Sequence, residues 1–465
     1  MAFTKNQYDV VLIQPPAEVI IEQYDKPNYP AIGIAYIGNY LEINEGITPV
    51  LVDARLSCFT LDETVDKIVA LRPKIVGISA MTHMIHTTAK LAGKIKKKIS
   101  DIKIVLGGVH GTFLPERTLN EFPVFDFIVI GEGEIAFSKL VRSLLDSQDY
   151  QSIKGVCFKE NGQIINNQLG EIPDKLDELG EPGWHLFDQD VMKQYCTLLP
   201  VISQRGCPYQ CNFCSRPFGS KVRKRSPDLV AHEIKRDIEN YGDSLIEFYD
   251  ETFALNKNNL KLLCNEFRKN NMEFKYICNA HAGTVDEEMA LILKYSGCIR
   301  VKFGVESGNE NILKEMGKGI TKEKVVNTIK IFKRVKLETL AFFIFGHPNE
   351  TPRSIFETIK FAIKVNADLN AIGIMIPYPG TKIWELAKDG KCGYKKLSLN
   401  WEDYNKQLGN AVELENVSRK ELILAQIIGY SLIYIANFRF VCFSKMLKDN
   451  LFLSLAIVSR LIKGS

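Results

Sequence analysis

Short apolar runs alternate with segments whose apolar residues recur every three or four positions, and this alternation persists over most of the chain. Tyr8–Gln14, Thr48–Asp53, Ile75–Ser79, Ile102–Leu106 and Phe125–Ile130 read as strands. Ile32–Glu42, Thr60–Leu71, His86–Ser100 and Glu134–Leu145 read as helices between them. Such alternation predicts βαβ units and a parallel sheet. The expectation for residues 1–148 is a doubly wound, flavodoxin-like α/β domain, which takes ligands at the carboxyl ends of its strands.

Residues 149–195 break the rhythm. Val156–Glu160 and Gln163–Asn166 flank Asn161-Gly162, a turn that favours a hairpin, and a Gly- and Pro-containing stretch follows, so this region reads as a linker. The alternation then resumes with strands at Leu198–Ser203, Leu245–Tyr249, Lys275–Asn279, Ile299–Phe303, Thr339–Phe345 and Ala371–Pro377. Helices fit between them at Asp228–Tyr241, Leu260–Asn270, Glu287–Ser296, Lys322–Val335 and Pro352–Val365. Six βα units in a row predict a partial (β/α)6 barrel over 196–390, with its chemistry on the loops leaving the strand carboxyl ends. Residues 391–465 read as a largely helical C-terminal region. The apolar stretch Leu422–Phe438 is short for a span of about 20 residues. It reads as a docked helix, with a membrane-surface role the less favoured alternative.

Composition narrows the class without choosing a function. With 46% hydrophobic and 25% charged residues, the chain falls in the ordinary globular range rather than the disordered one. A net charge of +4, spread along the chain, does not argue for nucleic acid as a partner; the Lys94–Lys98 run reads as a solvated helix face. The start of the sequence lacks a secretory pattern, which makes a cytoplasmic location the default expectation. Eleven cysteines at uneven spacing suit metal or catalysis better than a disulfide scaffold.

Three of those cysteines carry the chemistry. Cys207, Cys211 and Cys214 form C-x3-C-x2-C directly after the first barrel strand. Three thiolates on a short loop can hold three irons of a 4Fe–4S cluster, and with no fourth cysteine nearby one iron keeps an open position. The alternatives are three packed cysteines, or zinc completed by a distant histidine. The spacing, with Phe213 before the third cysteine, resembles that of the radical S-adenosylmethionine superfamily. The resemblance implies that the open iron chelates the methionyl group of S-adenosylmethionine. Electron transfer then releases a 5′-deoxyadenosyl radical, which abstracts hydrogen from an unactivated carbon.

The same resemblance implies a cosubstrate site built from strand ends. Phe213 lies in the cluster loop, and Tyr249, Asp250 and Glu251 follow the second strand. Asn279 and His281 follow the third, where many relatives carry an arginine. Gly304, Glu306 and Ser307 form a GVESG-like segment, suited to ribose hydroxyls and close backbone approach. Gly346 opens Gly346-His347-Pro348-Asn349-Glu350-Thr351, similar to a family segment at the adenine end. Of the other cysteines, most read as small core residues, and Cys278 as a remote candidate for a substrate-side thiol.

In the first domain the loops at the carboxyl rim are small and glycine-rich: Ser79 and Thr82; Gly107, Gly108 and His110; Gly131, Glu132 and Gly133. The first loop carries Pro15 and Pro16. Taken alone, these turns suit a nucleotide-binding or ligand-free flavodoxin-like domain equally well. Next to the barrel they resemble the cobalamin-binding domain of cobalamin-dependent radical S-adenosylmethionine enzymes. The D-x-H-x-x-G motif that supplies a lower histidine elsewhere is missing, which implies cobalamin held without a protein histidine on cobalt.

The leading expectation is cobalamin-dependent methylation of an unactivated carbon in a small, conceivably hydrophobic substrate. An external donor of flavodoxin or ferredoxin type would supply the electron. A cyclase or rearrangement enzyme of the same architecture is the second reading. A non-catalytic iron–sulfur or cobalamin sensor or carrier is the third.

Overall fold

The structure is a computed structural model and describes residues 8–17, 27–242, 244–405 and 410–449. The chain divides into two compact units, residues 1–206 with 217–244, and residues 207–216 with 245–465.

In the first unit, strands β1 (Val10–Gln14), β2 (Val50–Asp53), β3 (Ile75–Ser79), β4 (Lys103–Gly107) and β5 (Phe127–Val129) pair in parallel in the order β2-β1-β3-β4-β5. This is the expected flavodoxin-like winding. The strands are almost wholly buried, as helices on both faces of a parallel sheet require. Thr60 caps the helix Leu61–Leu71 in a capping box with Glu63, a signal readable in the sequence.

Two features of this unit depart from the expectation. The hairpin read as part of a linker, β6 (Val156–Glu160) and β7 (Gln163–Asn166), adds two antiparallel strands to the sheet beyond β5. Val156, Cys157 and Phe158 are buried there, so that edge of the sheet is covered rather than open. Two short helices, Val109–Phe113 and Pro115–Glu121, also occupy the connection between β4 and β5, where none was expected.

The second sheet has six strands: β8 (Leu198–Val201), β11 (Leu245–Phe248), β12 (Tyr276–Asn279), β13 (Cys298–Glu306), β14 (Glu338–Phe345) and β15 (Leu369–Ile374). They lie in sequential order, and the neighbours β11 to β15 are parallel. The partial barrel is as expected. Between β8 and β11, β9 (Gln204–Arg205) and β10 (Arg223–Lys224) form a small antiparallel ladder. The C-terminal region is not wholly helical: β16 (Tyr394–Leu397) and β17 (Val412–Leu414) pair antiparallel before the helices Arg419–Ala436 and Phe440–Asp449. No described helix is long and apolar enough to cross a membrane.

The scattered cysteines divide. Cys157, Cys196, Cys264, Cys278 and Cys298 are buried, whereas Cys58 and Cys392 are exposed on left-handed turns and are not core residues. The thiol of Cys278 is enclosed beside that of Cys298, at 3.9 Å, so it is not a substrate-side group. The side chain of Cys442 lies outside the described residues.

Candidate active site

The cysteine loop, residues 207–216, carries no helix or strand and is held by backbone contacts within its own unit. Asn212 N–H donates to the Met316 carbonyl at 2.9 Å, and its side-chain amide donates to the Glu315 carbonyl at 3.0 Å. Ile383 N–H donates to the Asn212 carbonyl at 3.1 Å. Cys207 and Cys211 are half-buried and Cys214 is exposed. Desolvation of the sulfur pushes the Cys211 thiol up to about 11, and it raises the Cys214 thiol too, although that residue as a whole is exposed. Metal binding would therefore displace protons from these thiols. Among the described residues no three His, Cys, Asp or Glu side chains converge closely enough to hold a single metal ion.

His281, an expected cosubstrate residue, is committed to this loop. Its ring stacks on Tyr209 with centroids 3.8 Å apart and planes 8° from parallel. Nδ1 accepts from the Gly283 N–H at 3.2 Å, which places the ring proton on Nε2, 3.1 Å from the Lys318 carbonyl. Both nitrogens are engaged, and burial holds the imidazole neutral, with its pKa lowered to about 4. Asn279 turns its amide onto the Asp250 carbonyl at 2.9 Å, joining the ends of β11 and β12. Asp250 is fully enclosed, and Tyr249 and Glu251 lie on either side of it in sequence.

Gly304, Glu306 and Ser307 separate in role. The Glu306 carboxylate pairs with the Lys318 ammonium, and both residues are buried. A Cβ on Gly304 would overlap a Glu306 carboxylate oxygen and Lys318 Nζ, so glycine is what leaves room for the pair. Ser307 Oγ sits 3.1 Å from Thr358 Oγ1 and accepts from Asn309 N–H at 3.1 Å, which ties this loop to the helix Pro352–Val365. Lys318, between Gly317 and Gly319 in positive-φ turns, was not singled out from the sequence; the Gly-Lys-Gly triplet is its only local sign. Its Nζ lies 6.0 Å from the Phe213 ring centroid.

Gly346 N–H and His347 N–H donate to the Glu350 carboxylate at 3.2 and 3.3 Å, and Ser354 Oγ donates to its other oxygen. Burial raises Glu350 to about 7. His347 is fully enclosed and meets Phe213 edge to face, centroids 6.2 Å apart; burial lowers its pKa to about 3. Phe213, Lys318, His347 and Glu306 thus gather beside the cysteine loop.

In the first unit the expected rim residues Ser79, Gly107, Gly108, Gly131 and Gly133 line one cavity of about 60 Å³, walled by Leu12, Ile37 and Phe137. Gly108, at φ +89°, would place a Cβ 2.5 Å from the Ala80 carbonyl. Gly77, missed in the sequence, belongs to the same cavity; a Cβ there would strike Leu12 at 2.5 Å. Pro15, Pro16, Thr82, His110 and Glu132 are buried nearby in sequence but do not line it. Burial lowers the His110 pKa to about 4, which keeps its ring neutral.

Glu132 has a different partner from the one expected. Its carboxylate takes Arg205 at 2.7 Å and also Arg223, while Glu134 takes the other arm of Arg205 at 2.7 Å. All four side chains are buried, and the Arg205 guanidinium lies over the Tyr36 and Phe218 rings at 4.9 and 5.1 Å. A buried carboxylate engaged on both oxygens is spent as a ligand elsewhere, and a compact network of this kind pins the rim loop to β9 and β10.

These residues suit the groups that the resemblance implies. The cysteine loop offers three thiols near one another in sequence, and the glycine rim opens where side chains would block an apolar slot.

Comparison with known proteins agrees. The profile described as "Radical SAM superfamily" matches residues 201–362, and that described as "B12 binding domain" matches residues 24–141. An uncharacterized methyltransferase of Pyrococcus horikoshii is 33% identical over 85% of this chain and 86% of its own length. The anaerobic magnesium-protoporphyrin IX monomethyl ester cyclase of Rubrivivax gelatinosus is 27% identical over 81% of this chain and 69% of its own. Among solved structures, the cobalamin-dependent S-adenosylmethionine radical enzyme OxsB superposes with a TM-score of 0.75 at 18% identity, covering 91% of this chain and 66% of that one. The radical S-adenosylmethionine methyltransferase TsrM of Kitasatospora setae gives 0.71 at 17% identity, covering 92% and 89%. At such identities these two speak for the fold. With both domains matched in one chain and a relative at 33% identity over most of both lengths, the protein belongs to the cobalamin-dependent radical S-adenosylmethionine enzymes.

Proposed function

We propose that the protein methylates an unactivated carbon of a small molecule, using S-adenosylmethionine and cobalamin. The observation that carries this reading is the pairing of a B12 binding domain with a radical domain in a chain similar to a named methyltransferase. When bound, the iron–sulfur cluster supplies an electron to the sulfonium and cobalamin supplies a transferable methyl group.

In this reading Cys207, Cys211 and Cys214 hold three irons. Tyr209 and His281 fix the loop that carries them. Tyr249 and Glu251 offer polar groups to the methionyl end of the cosubstrate, and the enclosed Asp250, bound through its carbonyl to Asn279, holds the two strand ends together. Phe213 and Gly346 border its nucleoside, Gly304 leaves room for the Glu306–Lys318 pair, and Ser307 shapes that loop through Thr358. Glu306 acts through its pair with Lys318, which keeps a compensated charge beside the loop. Ser79, Gly107, Gly108, Gly131 and Gly133 admit part of cobalamin at the sheet rim. Pro15, Pro16, Thr82 and His110 frame that rim, and Glu132 anchors it through Arg205.

The cyclase likeness supports the second reading, ring formation without methyl transfer. Anaerobically reconstituted, cobalamin-loaded protein, given methyl-labelled S-adenosylmethionine and a cell metabolite extract, separates the two. Label recovered in a new carbon-bound methyl group supports methylation. Formation of 5′-deoxyadenosine with no label transferred would replace it with the cyclase reading.

A further inference from the structure

Beyond its charged first turn, the helix Arg419–Ala436 is largely apolar on its inner and its outer side, yet only the inner one is covered. Its inner side, with Leu422, Gly429 and Ile433, packs on β15 and the helix Pro352–Val365. There it replaces a missing neighbour strand: Ile372 N–H donates to the Tyr430 hydroxyl at 2.8 Å, and Gln426 Nε2 donates to the Ile372 carbonyl at 2.5 Å. The outer side exposes Leu424, Ile427, Ile428, Leu432 and Ile435, between 39% and 53% accessible. These positions recur at three- and four-residue steps and form one continuous stripe. A helix that is apolar on every side is ordinarily buried, so this face is short of a covering.

The stripe runs into a corner that is harder still to explain in water. Phe438 is 83% exposed and sits at φ +56°, a backbone region that bulky side chains avoid. Phe440 lies edge to face with it at 6.4 Å, and Val441 is 81% exposed. Cations border the corner. Arg439 bonds the carbonyls of Ala367 and Asp368 and pairs with Asp368 at 3.5 Å, and it shares a surface recess with Lys333 and Lys336. Glu338, also in that recess, is paired with Arg300. From 437 to 449 the sequence has three basic residues, Arg439, Lys445 and Lys448, against the single acid Asp449, interspersed among Phe, Val, Met and Leu.

Apolar side chains with basic residues among them are the composition of a segment that lies in a lipid interface. We propose that the outer face of Arg419–Ala436, with the Phe438–Val441 corner, docks the enzyme on an anionic phospholipid surface. The apolar stripe would enter the headgroup boundary, while the basic residues meet lipid charge. A second copy fits less well, because a two-fold contact through this face would set the same basic segments against each other.

The test is co-sedimentation of the full-length reconstituted enzyme with vesicles of phosphatidylcholine, alone or with an equal part of phosphatidylglycerol. The proposal expects pelleting with the mixed vesicles, weaker pelleting with neutral ones, and loss with added salt. Leu424→Glu/Ile428→Glu/Ile435→Glu should weaken binding by about tenfold or more at unchanged cluster and corrinoid absorbance. Should that variant fail to fold, Phe438→Ser, on a side chain already in solvent, should still weaken it several-fold. Vesicle binding that is absent, or unchanged in these variants, would overturn the proposal. So would a concentration-dependent dimer that the triple variant abolishes, which would assign the face to a second copy.

Discussion

Replacing Lys318 by Met tests how the loop after β13 is held. Lys318 is 7% and Glu306 5% exposed, and they pair in the space that Gly304 leaves. Methionine keeps most of the side-chain volume but removes the charge, so the Glu306 carboxylate is left buried without its counter-ion. Breaking a buried pair from one side costs about 3–5 kcal/mol, because the remaining charge keeps its desolvation penalty. For a unit of on the order of 200 residues this corresponds to a fall in Tm of roughly 6–20 °C. Glu306→Gln alone should also destabilise, since it leaves the ammonium buried. The double variant Lys318→Met/Glu306→Gln removes both charges and should recover most of the loss. Anaerobic thermal unfolding of the four proteins, followed by circular dichroism, gives the coupling between the two sites. The reasoning fails if Lys318→Met stays within about 1 kcal/mol of wild type, or if the two losses simply add.

Three further outcomes follow from the same structure. Alanine at any one of Cys207, Cys211 and Cys214 should abolish cluster retention, read as iron and sulfide content and visible absorbance after anaerobic reconstitution. Gly108→Ala puts a Cβ 2.5 Å from the Ala80 carbonyl at a left-handed φ, so it should destabilise by roughly 1–3 kcal/mol and lower bound corrinoid, measured per polypeptide. The buried His110 has its pKa lowered from 6.5 to about 4, so the unfolded chain binds the extra proton between those values. Stability should therefore be full above pH 6.5 and fall by about 3 kcal/mol towards pH 4. His110→Gln should flatten that part of the urea-midpoint profile.

The βα rhythm was legible because it is a local property. A buried strand needs a run of apolar residues, and a helix covering it needs a 3.6-residue repeat; Ile75–Ser79 and Pro352–Val365 show each pattern within their own span. The cysteine loop was legible for a similar reason, since its three thiols fall within a few residues of one another. The hairpin at 156–166 was read correctly as a hairpin from Asn161-Gly162, but no local pattern says which sheet edge a hairpin joins.

Residues that depend on a distant partner could not be assigned this way. Glu306 reads as an acceptor for a sugar hydroxyl until Lys318 is placed against it, and Glu132 reads as a cofactor contact until Arg205 and Arg223 fill both its oxygens. His281 reads as a substitute for an arginine until Tyr209 stacks on it and its two nitrogens are taken.

The order of residues alone therefore determined the α/β class and the triad of thiols, because periodicity and motif spacing act over one or two turns of chain. Only the folded structure decided which polar groups are already satisfied by protein and which glycines open space. It alone showed which face of the helix Arg419–Ala436 remains bare among the described residues. Those outcomes are set by charges and volumes brought together from far apart in the chain, where burial makes an unpaired group costly and so selects its partner.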